Sequence, residues 1–210
     1  MAAVREWIVV GAGPSAGLWA TGLLLECPEA TTIAGNGGIR FAEKPDYFFV
    51  YDMHACREYH DASRELQCRG TKMVTLKRKQ DAMRNRGVDH YDAFIETVRH
   101  RKATEFVSGE YSPMNYTGLY CLQFAVNNGA ERVLATGLDG YKQHAENYAD
   151  RDKPQIGGNC QKRTRYIEQC TQAIVTACPD VEFVFYGPLR YELTGANVKV
   201  VEGIKCESRC

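Results

Sequence analysis

The sequence predicts an α/β fold, a doubly wound and mostly parallel sheet of Rossmann-like type. Three observations carry this expectation. Short apolar runs of strand length alternate along the chain with longer stretches of helical period. The first run feeds directly into a glycine-rich turn, GAGPSAG from Gly11 to Gly17, that opens a helix. The chain has 210 residues, 44% hydrophobic and 25% charged, which suits one packed domain and argues against long disordered tracts.

In order, Trp7 to Val10 reads as a buried strand and Leu18 to Glu26 as the helix after it. Thr31 to Ala34 is a second strand, running into Gly35, Asn36, Gly37 and Gly38. Tyr47 to Tyr51 is a third, ending at Asp52, and Val74 with its neighbours in TKMVTLKR is a fourth. Residues 80–112 are polar and lack a steady period, so a variable insertion is expected there, with a short strand at Glu105 to Val107. A helix from Tyr116 to Asn128, closed by Gly129, leads to a strand from Arg132 to Thr136 and then to GLDGY, Gly137 to Tyr141. A polar loop over 142–159 precedes a helix from Gln161 to Cys178 and a strand from Val181 to Tyr186. One domain over 1–203 would leave 204–210 as a polar tail behind a last strand-like run.

Lys and Arg number 26 against 26 Asp and Glu, so no global field steers the protein to nucleic acid or to a membrane surface. Basic residues do gather locally, at Lys77, Arg78, Lys79, Arg84, Arg86, Arg99 and Arg101. They form either a solvated face or a contact for a phosphate-rich acceptor such as DNA. Nine cysteines without a CxxC pair, no secretory signal and no apolar membrane span point to a reducing cytoplasm. Cys121, Cys170 and Cys178 lie among apolar residues and read as small core side chains.

A doubly wound sheet binds ligands beyond the carboxyl ends of its strands. Gly11 and Gly13 would let backbone approach a phosphate there, with Pro14 and Ser15 opening a helix whose first N–H groups are donors. A flavin or nicotinamide site also calls for an acidic residue at the end of the second strand; this chain has Asn36, whose amide donates and accepts but carries no charge. Asp52, Thr117, Gly118, Asp139 and Tyr141 stand at further strand ends or helix starts, and the fold would bring them to one crevice. Asp52 and Asp139 could share a metal ion or a ribose, and Thr117 with Gly118 could donate to a phosphate. Alternatively, Thr117 is an N-cap and Asp139 a turn former.

GAGPS, the Asn-ended second strand, and YTGLYCLQFAVNNGAERVLATGLDGY together resemble two related groups. These are the bacterial metal-independent sialyltransferases and a family that includes archaeal hydroxymethyl-dihydropterin pyrophosphokinases. The resemblance covers residues 7–52 and 111–178. It implies nucleotide contacts at Gly13, Ser15, Asn36, Asp52, Thr117, Gly118, Gly137, Leu138 and Asp139, with Gly11 and Pro14 completing the first turn. It also implies leaving-group tyrosines at Tyr141 and Tyr148, since a phenol can stabilise a departing phosphate without a metal. Two departures stand out. Ala12 replaces an Asn of the sialyltransferases, and Gly157, Gly158 and Asn159 stand where they carry a general-base His. The base would then be His144, His54 or Asp52.

The expected function is a glycosyltransferase-like enzyme that moves a sugar from a nucleotide-activated donor to a hydroxyl on a glycan, a small molecule or a modified DNA base, with no cofactor required. The alternatives are a pyrophosphokinase-like transferase that uses Mg²⁺ on Asp52 and Asp139, and a nucleotide-binding protein without catalysis.

Overall fold

The central strands are near-continuous apolar runs because the fold buries them on both faces. In the computed structural model, which describes residues 3–50, 58–79, 91–98, 102–141 and 159–202, eight parallel strands form one sheet. They are β1 (Glu6–Val10), β2 (Thr31–Gly35), β3 (Tyr47–Val50), β4 (Lys72–Leu76), β5 (Ala93–Ile95), β6 (Arg132–Thr136), β7 (Glu182–Tyr186) and β8 (Val198–Val201). Their spatial order is β5-β4-β3-β2-β1-β6-β7-β8. Ile8 and Val10 point into one core layer and Trp7 and Val9 into the other, with Ile8, Val9 and Val10 fully buried.

Helix α1 (Ala16–Glu26) covers the first face through Ala16, Ala20 and Leu23, and α2 (His60–Cys68) joins it through Leu66. The second face carries α3 (Thr117–Asn127) and α4 (Cys160–Ala177). Every residue of α3 from Leu119 to Val126 is buried, Gln123 included, so the helix has no solvated side over this stretch. Gly129, at φ +84°, ends α3, with Ala130 N donating to Ala125 O at 3.1 Å. Among the described residues no helix is long and apolar enough to cross a membrane.

Two expectations change. Glu105 to Val107 is not a strand, and the edge strand of this region is Ala93–Ile95, so 80–112 contributes to the sheet and is not wholly an insertion. The reason is packing. Phe106 enters the core beside α3 and α4, and the Ser112 hydroxyl bonds to Glu105 O. The buried Gln123 of α3 then holds Ser112 from both sides, accepting from its N–H at 2.6 Å and donating to its carbonyl at 3.3 Å. Backbone groups that a strand would pair are used locally: Glu105 N donates to Lys102 O at 3.0 Å, and Val107 O accepts from Glu110 N at 3.1 Å. Helix α2 was not expected because its sequence, HDASRELQC, is polar and places few residues in the core.

The order in which strands are added switches sides at β1. β2 to β5 lie on one side of it, and β6 to β8 on the other, so β1 and β6 form the topological switch. Their amino ends are closed by a cross-strand ladder, with Arg132 3.1 Å from both Glu6 and Glu182. Their carboxyl ends carry GAGPS and GLDGY.

Candidate functional site

The two loops at the switch are bonded to each other. Gly11 N donates to Thr136 O at 2.8 Å, Gly13 N to Gly137 O at 2.9 Å, and Ser15 N to Asp139 Oδ2 at 2.8 Å. The Ser15 hydroxyl accepts from Gly137 N at 2.7 Å and from Thr136 Oγ1 at 3.2 Å. Glycine is obligatory on both sides of this contact. A Cβ on Gly11 would sit 2.4 Å from Gly137 O, and one on Gly13 would sit 2.6 Å from Asp139 Oδ2. Gly137 itself has φ +75°. The close backbone approach expected against a phosphate is thus realised between two protein loops.

Asp139 is 2% exposed and closes the start of α1 across the sheet, taking the Ser15 amide where an anion suits the positive helix end. Its Oδ1 has no hydrogen-bond partner among the described residues and lies beside Gly187, whose φ is +126°. Burial raises the Asp139 pKa, while bonds from the Ser15 side chain and amide and the Arg190 charge oppose the rise. The rest of GLDGY is held from the other side. Arg190 N donates to Asp139 O at 2.9 Å, Tyr191 OH to Leu138 O at 2.7 Å, and Arg190 Nη1 to Gly140 O at 3.3 Å. From α4, the Thr164 hydroxyl accepts from Tyr141 N at 2.8 Å and donates to Tyr141 O at 2.7 Å.

Tyr141 is therefore a half-buried side chain on a fixed backbone. Its ring lies 5.8 Å from that of Tyr116, which is 5.7 Å from Tyr166 of α4. The Tyr166 phenol accepts from Asn115 N at 3.3 Å, and burial raises its pKa. Tyr116 and Tyr166 escaped the sequence reading. Tyr116 stands directly before the Thr-Gly helix start, a signal that was available; nothing in the sequence links Tyr166 to a residue 50 positions earlier.

Thr117 is the first helical residue of α3 and not its cap. The cap position is Tyr116, with extended backbone and no side-chain bond, and no acidic residue occupies the first turn. The Thr117 and Gly118 amides have no acceptor among the described residues, whereas Ser15 N and Ala16 N at the start of α1 are already used. The start of α3 thus presents two open amide donors at this end of the sheet, an arrangement that suits an anion. It is wedged between strand ends: a Cβ on Gly35 would lie 2.8 Å from Thr117 Cγ2, and one on Gly118 would lie 2.2 Å from Leu138 Cδ2.

Asn36 follows β2 at φ +44°, a left-handed conformation that asparagine tolerates better than most residues. The next two glycines run under the first loop. Gly37 lies beside Ala12, and a Cβ on Gly38 would be 2.2 Å from Val10 O. Gly11, Gly13, Pro14, Ser15, Asn36, Thr117, Gly118, Gly137, Leu138, Asp139 and Tyr141 thus gather at the carboxyl ends of β1, β2 and β6. Ser15 and Asp139 are buried beneath the loops, while Pro14, Asn36, Thr117, Gly118, Leu138 and Tyr141 retain access. Asp52, His54, His144 and Tyr148 lie outside the described residues, as do Arg84, Arg86, Arg99 and Arg101. Asn159 has a local role, capping α4 by accepting from Lys162 N at 2.8 Å.

The chain is similar in structure to the MAf glycosyltransferase from Magnetospirillum magneticum AMB-1, with a TM-score of 0.59 and 12% identity over 95% of this chain and 34% of that one. The chain spans about a third of that protein's length. At this identity the likeness is one of fold, and it places the Rossmann-like sheet on an architecture that a glycosyltransferase also uses. No protein-family model matches the sequence, and no curated protein does.

Proposed function

We propose that this protein is a glycosyltransferase-like enzyme that takes a sugar from a nucleotide-activated donor and delivers it to an acceptor hydroxyl. The observation that carries this reading is the uncapped start of α3, where the Thr117 and Gly118 amides follow Tyr116, whose ring lies 5.8 Å from that of Tyr141, in a crevice at the topological switch. Two amides at a positive helix end suit a nucleotide phosphate. Asn36 would hold the sugar or the base, with Pro14 and Leu138 as walls.

As the acceptor oxygen bonds to the anomeric carbon, the bond from that carbon to the phosphate oxygen breaks and its electron pair leaves with the nucleotide. The Tyr141 phenol, helped by Tyr148, would donate a hydrogen bond to that oxygen as charge develops. The acceptor proton goes to His144, His54 or Asp52. Gly11, Gly13, Ser15, Gly137 and Asp139 act by fixing the crevice floor. No cofactor takes part, and the buried free thiols of Cys121, Cys160 and Cys170 support residence in a reducing cytoplasm.

The Mg²⁺-dependent pyrophosphokinase reading needs Asp139 at a metal. Its Oδ2 is bonded to the Ser15 amide and the residue is 2% exposed, so that reading would have to work through Oδ1, which has no hydrogen-bond partner among the described residues.

A thermal-shift panel with CMP, UDP, GDP, ATP and NAD⁺, each with and without Mg²⁺, tests the proposal. A nucleotide at about 100 times its Kd stabilises by about 2.7 kcal/mol. A pyrimidine or guanine nucleotide should shift the melt without metal. Thr117→Val, which keeps a methyl against Gly35 but loses the hydroxyl, should shrink that shift and leave the free protein's melt unchanged. A response to ATP with Mg²⁺ alone would install the pyrophosphokinase instead. Binding of a nucleotide sugar without release of its nucleotide would leave a nucleotide-binding protein.

A further inference from the structure

The carboxyl ends of β4 and β5 enclose a second concavity, a cavity of about 530 Å³ lined by Lys77, Arg78, Glu96, Thr97 and Pro113. β4 stops at Leu76 and the chain enters a 3-10 turn, Lys77–Lys79, so consecutive basic residues leave one strand end together. The Thr75 hydroxyl donates to Val50 O at 2.7 Å, which fixes where that turn begins relative to β3. Lys77 Nζ lies 2.8 Å from Glu96 Oε2 with both side chains well exposed, a pair that water or an anion readily exchanges. Arg78 is exposed and makes no ion pair or hydrogen bond among the described residues. Its guanidinium is a rigid fork of donors that matches a phosphate. Among the described residues that line it, Lys77 and Arg78 outweigh Glu96, in a chain with zero net charge.

Pro113 ties the cavity to the crevice. The same segment reaches Thr117 four residues later, and four residues span at most about 14 Å. Between them Met114 is fully buried, and Ser112 is gripped by Gln123, so this shared wall is anchored. Across the sheet, β4 stands three strand spacings from β1, again about 14 Å. A molecule with one end in the cavity can therefore present its other end at the crevice.

We propose that the cavity binds a phosphate group carried by the acceptor, so that the acceptor is held by its anionic end while its hydroxyl faces Tyr141. The word acceptor rests on the transferase reading; the phosphate site does not. The phosphate belongs either to a single-stranded nucleic-acid backbone or to a small phosphorylated alcohol, and the two are separable by experiment.

The full chain is titrated with a fluorescent oligothymidylate by anisotropy, and with ribose 5-phosphate and ribose by calorimetry. One phosphorylated probe should bind and ribose should not. Arg78→Gln should weaken that binding at least five-fold, and Arg78→Lys should recover part of the loss. Glu96→Gln should tighten it, because this change removes the carboxylate that neutralises Lys77 and repels the anion. For the oligonucleotide, the slope of log K against log salt should fall by about 0.7 in Arg78→Gln, one phosphate contact fewer. The nucleotide thermal shift should be the same in all variants. No binding of either phosphorylated probe, equal binding by wild type and Arg78→Gln, or loss of the nucleotide shift in Arg78→Gln would each overturn the proposal. Absence of any nucleotide shift in the wild type would sink the transferase reading and leave the phosphate site standing.

Discussion

Replacing Asp139 separates its roles as acceptor and as charge. Asp139→Ala removes the oxygen that takes the Ser15 amide at 2.8 Å and leaves that N–H buried, since Ser15 is 0% exposed. A bond to a charged acceptor is worth about 1.5–3 kcal/mol, and an orphaned buried donor costs about 1–3 kcal/mol; the relief of no longer burying a carboxylate offsets part of this. The net loss should be about 2 kcal/mol, or about 4–8 °C in Tm for a chain of this size. Asp139→Asn keeps an oxygen for Ser15 and drops the charge, so it should stay within about 1 kcal/mol of wild type at neutral pH. Burial raises the folded pKa of Asp139 above that of the unfolded chain, so over the interval between the two the folded state holds a proton the unfolded state has lost. The stability that Asp139 contributes is full below about pH 4, near the unfolded aspartate value, and is lost as pH rises through the folded value. Asn does not titrate, so the stability of wild type relative to Asp139→Asn should be lower at about pH 7.5 than at about pH 4. Urea denaturation of the three proteins at both pH values measures all of this. An alanine variant as stable as wild type would refute the bracing role. A wild type that gains on the asparagine variant as pH rises would refute the burial argument.

Other expectations rest on single contacts. Thr164→Val removes both bonds to the Tyr141 backbone and should cost about 1–3 kcal/mol in chemical denaturation, with a lower turnover of any nucleotide sugar that binds. Gly35→Ala drives a methyl to within 2.8 Å of Thr117 Cγ2 and 2.9 Å of Cys121 Sγ, so it should destabilise by about 1–3 kcal/mol and weaken nucleotide binding by tilting the start of α3; unchanged melting would contradict that packing. Under native alkylation, followed by mass spectrometry, the exposed Cys68 should react and the buried Cys121 and Cys170 should not, because burial pushes both thiols up, Cys170 to about 11.

Much of the sheet was legible because double-sided burial writes a strand as an apolar run with turn residues at its end, as in WIVV before GAGPS and RVLAT before GLDGY. The same logic places Asn36, Thr117 and Gly118 at one end of the sheet, whereas Asp139 lies buried beneath the loops there. What stayed hidden depended on partners far along the chain. Gly11 and Gly13 look like phosphate-binding glycines until Gly137 is seen against them. Glu105 to Val107 has strand-like composition, but Gln123 and Ser112 divert its surroundings into side-chain bonding. Thr117 reads as a cap by residue type, yet Tyr116 occupies that position and leaves the amides open. Helix α2 is polar on average and only nine residues long, so its amphipathic pattern is too short to stand out from a loop.

The central position of β1 has a consequence for biosynthesis. Glu6 and Arg132, partners in the β1–β6 register, are 126 residues apart. At about 5–20 residues per second, a ribosome exposes β1 and β2 for about 6–25 s before β6 emerges to cover the second edge of β1. During that interval a strand with four consecutive apolar residues, Trp7 to Val10, presents unpaired N–H and C=O groups, an open template for pairing with another nascent chain. Soluble yield should therefore respond to translation speed and to chaperones that hold extended segments, more than to the stability of the finished fold.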